Sequence, residues 1–316
     1  MSAAPESGLV LALGGGGAPG LAHIGVLEVL EERGIAVRAV AGTSIGAEIG
    51  AFFATGMPVA DLVRLATAVD WKQTLQLFLP DLPTGGLVSG EKIMDFLRDK
   101  LGARRIEELA IGYAAITADL ESGGLVVVDS GDLVEAVRAS ISLPGVVAPL
   151  RRGSQALVDG GVLNPLPFDV ARALFGGPVV AVATHAGACG RQRVQPAPPR
   201  ARQWMSRARQ LLDQPWIGRA PALRDWLRTQ IVSRESIHEE RPYWTARRVL
   251  DRAYSMAQSE IVSRRAADSP PDLVITPEVG SIGLLEFYRA AEAIDAGRVA
   301  ARECLPQLQR LVRSLK

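Results

Sequence analysis

Leu9-Val10-Leu11-Ala12-Leu13-Gly14-Gly15-Gly16-Gly17-Ala18-Pro19-Gly20 is an apolar run that ends in four glycines, and its reading decides the fold. Five apolar residues without polar alternation suit a strand covered on both faces, as in parallel sheets. Pro19 suits the first turn of a helix, where its missing N–H costs nothing. That helix carries Leu21, Ile24, Leu27 and Leu30 as an apolar stripe, and Gly34 stops it. Val37–Ala41 reads as the next strand, followed at once by Gly42-Thr43-Ser44 and a small-residue helix from Ile45 to Thr55. Strand, helix, strand, helix at this spacing predicts parallel pairing with right-handed crossovers.

Further strands are expected at Tyr113–Thr117, Leu125–Val128, Ala156–Val158, Val179–Val182 and Leu273–Ile275. Helices are expected at Gly90–Leu101, Leu133–Ser140, Asp169–Leu174, Thr245–Arg265 and Leu284–Leu305. The fold class is therefore α/β: a three-layer α/β/α sandwich around a mostly parallel sheet. The chain divides into a core over 8–185, a basic Trp- and Arg-rich insertion over 186–244, and a helix–strand–helix over 245–316 that completes the core.

With 316 residues there is material for a sizeable core. A net charge of +1 argues against a nucleic-acid partner. Two cysteines, Cys189 and Cys304, cannot make a disulfide framework and lack metal-ligand spacing, so neither metal nor cofactor is expected. Met1–Gly8 has no basic n-region, and no apolar stretch reaches membrane-spanning length. A cytoplasmic protein is the expectation.

Three glycine-bearing clusters carry the chemistry. Gly42-x-Ser44-x-Gly46 fits the nucleophile elbow, in which a serine sits on a tight strand-to-helix turn. The competing reading is a serine that only caps the helix. Gly15, Gly16 and Gly17, between strand and helix, can aim several backbone N–H groups at one point, as a tetrahedral oxyanion requires. The same residues match G-x-G-x-x-G as Gly15-x-Gly17-x-x-Gly20. A dinucleotide site, however, wants an acid at the end of the next strand, and Val40-Ala41-Gly42-Thr43-Ser44 has none. Asp159 ends a short strand and precedes Gly160-Gly161, which makes it either a base for Ser44 or a plain turn residue. The chain has three histidines, His23, His185 and His238; the last two could complete a Ser–acid–His triad on order alone.

Together, Gly14–Leu27, Gly42–Ala47 and Asp159–Pro167 resemble the patatin-like phospholipase family in its oxyanion block, nucleophile elbow and dyad-aspartate block. Ala139-Ser140-Ile141-Ser142-Leu143-Pro144-Gly145 is similar to a further family signature. Pro271–Ile275 and Ala291–Gly297 resemble its late strand and the helix after it. The resemblance implies hydrolysis of lipid acyl esters by a Ser44–Asp159 dyad without histidine, with Gly15, Gly16 and Gly17 as oxyanion donors and Gly20, Gly42, Gly46, Gly160 and Gly161 as supporting residues. The chain departs from the family at Pro19, where many relatives carry a basic residue, and at Glu48, where small or apolar residues are expected. A catalytically weak scaffold that binds lipid or a protein partner is the alternative.

A lipid hydrolase must meet an interface. Arg191–Arg248 holds 13 arginines against five acids, and four of the five tryptophans fall at Trp204, Trp216, Trp226 and Trp244. Interleaved aromatic and basic residues suit a surface helix touching the anionic inner face of a membrane; tryptophans packed onto the core are the competing reading. The membrane reading predicts that the protein sediments with anionic vesicles at low salt. Equal, salt-insensitive partition into zwitterionic vesicles would remove its electrostatic part.

Overall fold

The computed structural model describes residues 7–68, 86–184 and 246–315. The chain runs β1 (Leu9–Leu13), α1 (Ala22–Glu32), β2 (Val37–Thr43), α2 (Ile45–Ala54), α3 (Val59–Ala68), β3 (Gly86–Val88), α4 (Glu91–Leu101), β4 (Gly112–Asp119) and β5 (Leu125–Val128). It continues with α5 (Leu133–Ser140), β6 (Gly145–Val147), β7 (Leu150–Arg152), β8 (Gln155–Asp159), α6 (Phe168–Phe175) and β9 (Val179–Val182). It ends with α7 (Ala246–Asp268), β10 (Leu273–Ile275), α8 (Ala290–Glu303) and α9 (Leu305–Arg313).

The main sheet has eight strands in the order β10-β9-β1-β2-β4-β8-β7, with β5 also paired to β4. β10, β9, β1, β2 and β4 are parallel; β5 and β8 lie antiparallel to β4, and β7 lies antiparallel to β8. Every residue of β1 is fully buried. Its side chains alternate between two cores: Leu9, Leu11 and Leu13 face one, Val10 and Ala12 the other. The first core is built against α1, α2, α5 and α8, the second against α6 and Val262 of α7. Burial of each large aliphatic side chain contributes about 1.5–3 kcal/mol, which is why β1 reads as an unbroken apolar run.

The mixed α/β sandwich with a mostly parallel sheet matches the expectation. The segment expected as one helix over Leu284–Leu305 does not. Residues 284–289 form a loop and a short 3-10 turn, α8 starts at Ala290, and a separate α9 opens where Pro306 lacks the N–H needed to continue α8. α3 and the short β3, β6 and β7 lie outside the expected elements. Residues 186–244, with His185 just before them, fall outside the described residues, as does His238.

α1 and α8 meet backbone to backbone. A β-carbon on Gly25 would stand 2.0 Å from the Ile294 carbonyl oxygen, and one on Gly297 would stand 2.0 Å from that of Ala22. Gly25→Ala gains about 1 kcal/mol of helix propensity, yet the overlap is with backbone and cannot be relieved by a rotamer change. A net loss of about 1–3 kcal/mol is expected, read as a lower urea midpoint. An unchanged midpoint would mean that the helices are not in this contact.

Candidate active site

The site is assembled on one edge of β4. β2 pairs with β4 up to Thr43↔Ile116, and β8 takes over at the next residue with Asp159↔Thr117. β5 pairs with residues on both sides of this junction and so occupies the opposite edge. The C-terminal ends of β2 and β8 therefore meet head to head, and the residue after Thr43 is Ser44.

Ser44 has φ 55° and ψ −126° and is, among the described residues, the one non-glycine residue with positive φ. Such a conformation costs on the order of 1–3 kcal/mol and persists only when its surroundings hold it. Two contacts do so. The Ser44 N–H donates to Ser140 Oγ at 2.9 Å, and Ser140 Oγ donates to the Ile116 carbonyl at 2.7 Å. Backbone contact at the turn leaves no room for side chains: a β-carbon on Gly46 would stand 2.2 Å from the Leu13 carbonyl oxygen, and one on Gly42 would stand 2.4 Å from that of Gly46. Gly20 abuts the Ile45 side chain, which brings the glycine run against the turn.

Ser44 occupies the position that caps α2, but its side chain makes no capping bond. Its hydroxyl lies close enough to the Asp159 carboxylate to lower that group's pKa. Asp159 is 2% exposed, and its N–H donates to the Ser142 carbonyl at 2.9 Å. Oδ1 accepts from the Gly161 N–H at 2.8 Å, so the turn role and the contact with Ser44 coexist. Burial raises the Asp159 pKa to about 6, against the lowering effect of its hydrogen bonds from Ser44 and Gly161. One helical turn beyond Ser44, Glu48 is raised to about 7 because its carboxyl is shielded, although part of the residue reaches the surface.

The glycine run is not uniform. The Gly15 N–H donates to the Pro165 carbonyl at 2.9 Å, and the Gly15 carbonyl accepts from Thr184 Oγ1. Gly15 therefore drops out of the expected donor set, because its peptide groups are spent on holding the loop. The N–H groups of Gly16 and Gly17 have no partner among the described residues. The Ala18 N–H donates to the Leu284 carbonyl at 2.9 Å. The Leu284 side chain closes over Gly17, where an added β-carbon would stand 2.8 Å from Leu284 Cδ1. A pyrophosphate would need that face of the turn open, which counts against the dinucleotide reading. His23 is fully buried, with Nε2 2.8 Å from the Gly14 carbonyl oxygen; because a carbonyl only accepts, Nε2 carries the proton.

Residues 11–172 match the sequence model of the patatin-like phospholipases. The chain belongs to the patatin-like phospholipase family. It is 33% identical to an uncharacterized NTE family protein of Mycobacterium tuberculosis, over 94% of this chain and 91% of that one. It is 36% identical to patatin-like phospholipase domain-containing protein 7 of Mus musculus, over 55% of this chain and 13% of the mouse protein. Among solved structures, VipD from Legionella pneumophila aligns with 99% of this chain and 68% of its own, at a TM-score of 0.44 and 18% identity. Patatin-like phospholipases act in general on lipid esters, so a lipid substrate is the coarse expectation. Among the described residues no helix is long and apolar enough to cross a membrane.

In this patatin-like chain the signature around Ser140 has a mechanical role that its sequence did not reveal. Ser140 holds the Ser44 amide through its side chain, and Ser142 holds the Asp159 amide through its carbonyl. Ser140→Ala would leave the part-buried Ser44 N–H without its acceptor. A loss of about 1–3 kcal/mol in urea unfolding is expected; a variant as stable as the parent would show that Ser44 does not depend on this bond.

Proposed function

We propose that this protein is a serine acyl hydrolase that cleaves carboxylic esters of lipids, with Ser44 as nucleophile and Asp159 as its base. The observation that carries the reading is the Ser44 hydroxyl itself. It sits on a strained turn, declines the helix cap, and lies beside a buried carboxylate whose pKa it lowers. Ionised Asp159 removes the Ser44 proton as Oγ attacks the ester carbonyl. The oxyanion that forms is met by the Gly16 and Gly17 N–H groups, and the N-terminus of α2 adds its partial positive charge. Protonated Asp159 then gives its proton to the departing alcohol. A water molecule repeats the sequence on the acyl-serine: it loses a proton to Asp159, and Ser44 regains one.

A dyad fits a chain in which the histidine described near the site, His23, is committed to the Gly14 carbonyl. Residues 186–244 are taken, under the same reading, as the part that meets an anionic lipid surface from the cytoplasmic side.

A fluorophosphonate probe should label Ser44. Ser44→Ala should abolish both labelling and turnover, and Asp159→Asn should lower kcat about 10²–10⁴-fold on short acyl esters. A folded protein that resists the probe would favour the scaffold reading. Full activity in Asp159→Asn, with loss in His185→Ala or His238→Ala, would point to a triad.

The base works only when ionised, so kcat/KM should climb with pH through about 6 and then level off. Glu48 titrates nearby at about 7, so Glu48→Gln serves as the control. The limb near 6 should survive in that variant; its disappearance would assign the limb to Glu48.

A further inference from the structure

Helix α7 lays a stripe of residues along the segment that follows Asp159. Tyr254, Gln258, Val262 and Arg265 recur at helical spacing. Arg265 pairs with Asp169 and donates to the Leu163 carbonyl, and Val262 lies in the second core. Gln258 is 3% exposed, and its Nε2 donates to the Gly161 carbonyl at 3.1 Å. These contacts lock the helix to the aspartate loop, and Tyr254 stands one helical turn before Gln258 in the stripe.

The geometry at Gly161 is specific. The point where a β-carbon would sit lies 3.0 Å from Asp159 Oδ1, 3.0 Å from the Tyr254 hydroxyl oxygen and 2.9 Å from Gln258 Nε2. The phenol and the carboxylate are therefore separated by at most twice that distance, a span that one oxygen atom can bridge with two hydrogen bonds. The Gln258 side chain also lies against the Tyr254 hydroxyl and lowers its pKa. Burial and the charge of Asp159 together raise the Tyr254 pKa, so it remains a neutral donor. Tyr254 is also half-buried rather than sealed, unlike Gln258.

We infer that Tyr254 is a further catalytic residue: its phenol hydrogen-bonds the ester oxygen of the departing alcohol beside Asp159. The inference rests on the hydrolase reading above. When the tetrahedral intermediate collapses, the bond between the acyl carbon and the alcohol oxygen breaks, and its electron pair stays on that oxygen. Asp159 delivers the proton it took from Ser44 to the same oxygen. Tyr254 stabilises the developing charge and keeps its own proton, so no proton is gained or lost by the phenol. Gln258 is a positioning residue that acts through Tyr254.

The test is a comparison of leaving groups at constant acyl chain. Tyr254→Phe removes one oxygen atom. kcat/KM, which reports acylation alone, would be measured on p-nitrophenyl butanoate and on an alkyl butanoate. A nitrophenolate leaves with little help, whereas an alkoxide needs both a proton and a donor. The expected result is a loss of about 10–100-fold on the alkyl ester and less than about 3-fold on the aryl ester. The rate of fluorophosphonate labelling and the urea midpoint should stay near those of the parent. Gln258→Met should give the same selectivity at smaller amplitude. Equal losses on both esters would reduce Tyr254 to a structural support, and no loss on either would remove it from the reaction; both outcomes overturn the inference. A parent protein that neither labels nor turns over either ester would instead sink the hydrolase reading, and the inference with it.

Discussion

The junction on the edge of β4 is the constraint on which the site depends. Adjacent residues Ile116 and Thr117 take their partners from different strands, Thr43 from β2 and Asp159 from β8. Backbone pairing thus sets the separation of Ser44 and Asp159. Ile116 also supplies the carbonyl that orients Ser140, which in turn holds the Ser44 amide. The same carbonyl lies 2.5 Å from the point where a β-carbon on Gly160 would sit, so that position accepts no side chain. One strand residue therefore touches the machinery on both sides of the seam between the parallel and antiparallel parts of the sheet.

Holding a carboxylate in this seam works against stability. The folded state binds the Asp159 proton more tightly than the unfolded chain does. Its contribution to stability is fully present below the ordinary carboxylate range and is lost as pH rises through about 6. Glu48 acts in the same sense up to about 7. The pH range in which the base is competent is therefore the range in which it weakens the fold, and the cost is carried by the cores on both faces of β1. Activity and stability are drawn from the same buried groups in opposite directions.

Much of this was legible in the residues. Apolar runs bounded by glycine marked β1, β2 and β9, because buried parallel strands need no polar alternation. The Gly42-x-Ser44-x-Gly46 turn and Asp159-Gly160-Gly161 were visible because close backbone approach excludes all but the smallest residues. Other features were not visible. Nothing in Gly14–Gly17 distinguishes the glycine whose N–H is tied to Pro165 from those whose N–H groups are not, since that depends on a carbonyl about 150 residues away. The break at Leu284 was hidden because an apolar stretch suits either a helix or a loop packed on a core, and its packing against Gly17 is a long-range contact. Tyr254 lay in a stripe that reads as an ordinary amphipathic helix. Ser140 and Ser142 stand in the sequence only as part of a signature, and the hydrogen bonds that explain them come with three-dimensional placement.

The place of β1 in the sheet bears on where a working unit of this chain begins and ends. The family match closes at residue 172, yet β1 lies between β2 and β9, and β9 is in turn flanked by β10. A fragment cut at the end of the match would strip one side of a strand whose every residue is apolar and buried. It would expose unpaired backbone groups along an apolar edge, the template on which chains add to one another. It would also lose Leu284, whose carbonyl anchors Ala18 at the end of the glycine run. The stretch that the family model matches is therefore shorter than the stretch that the sheet requires, and a fragment drawn to the former should be recovered as aggregate.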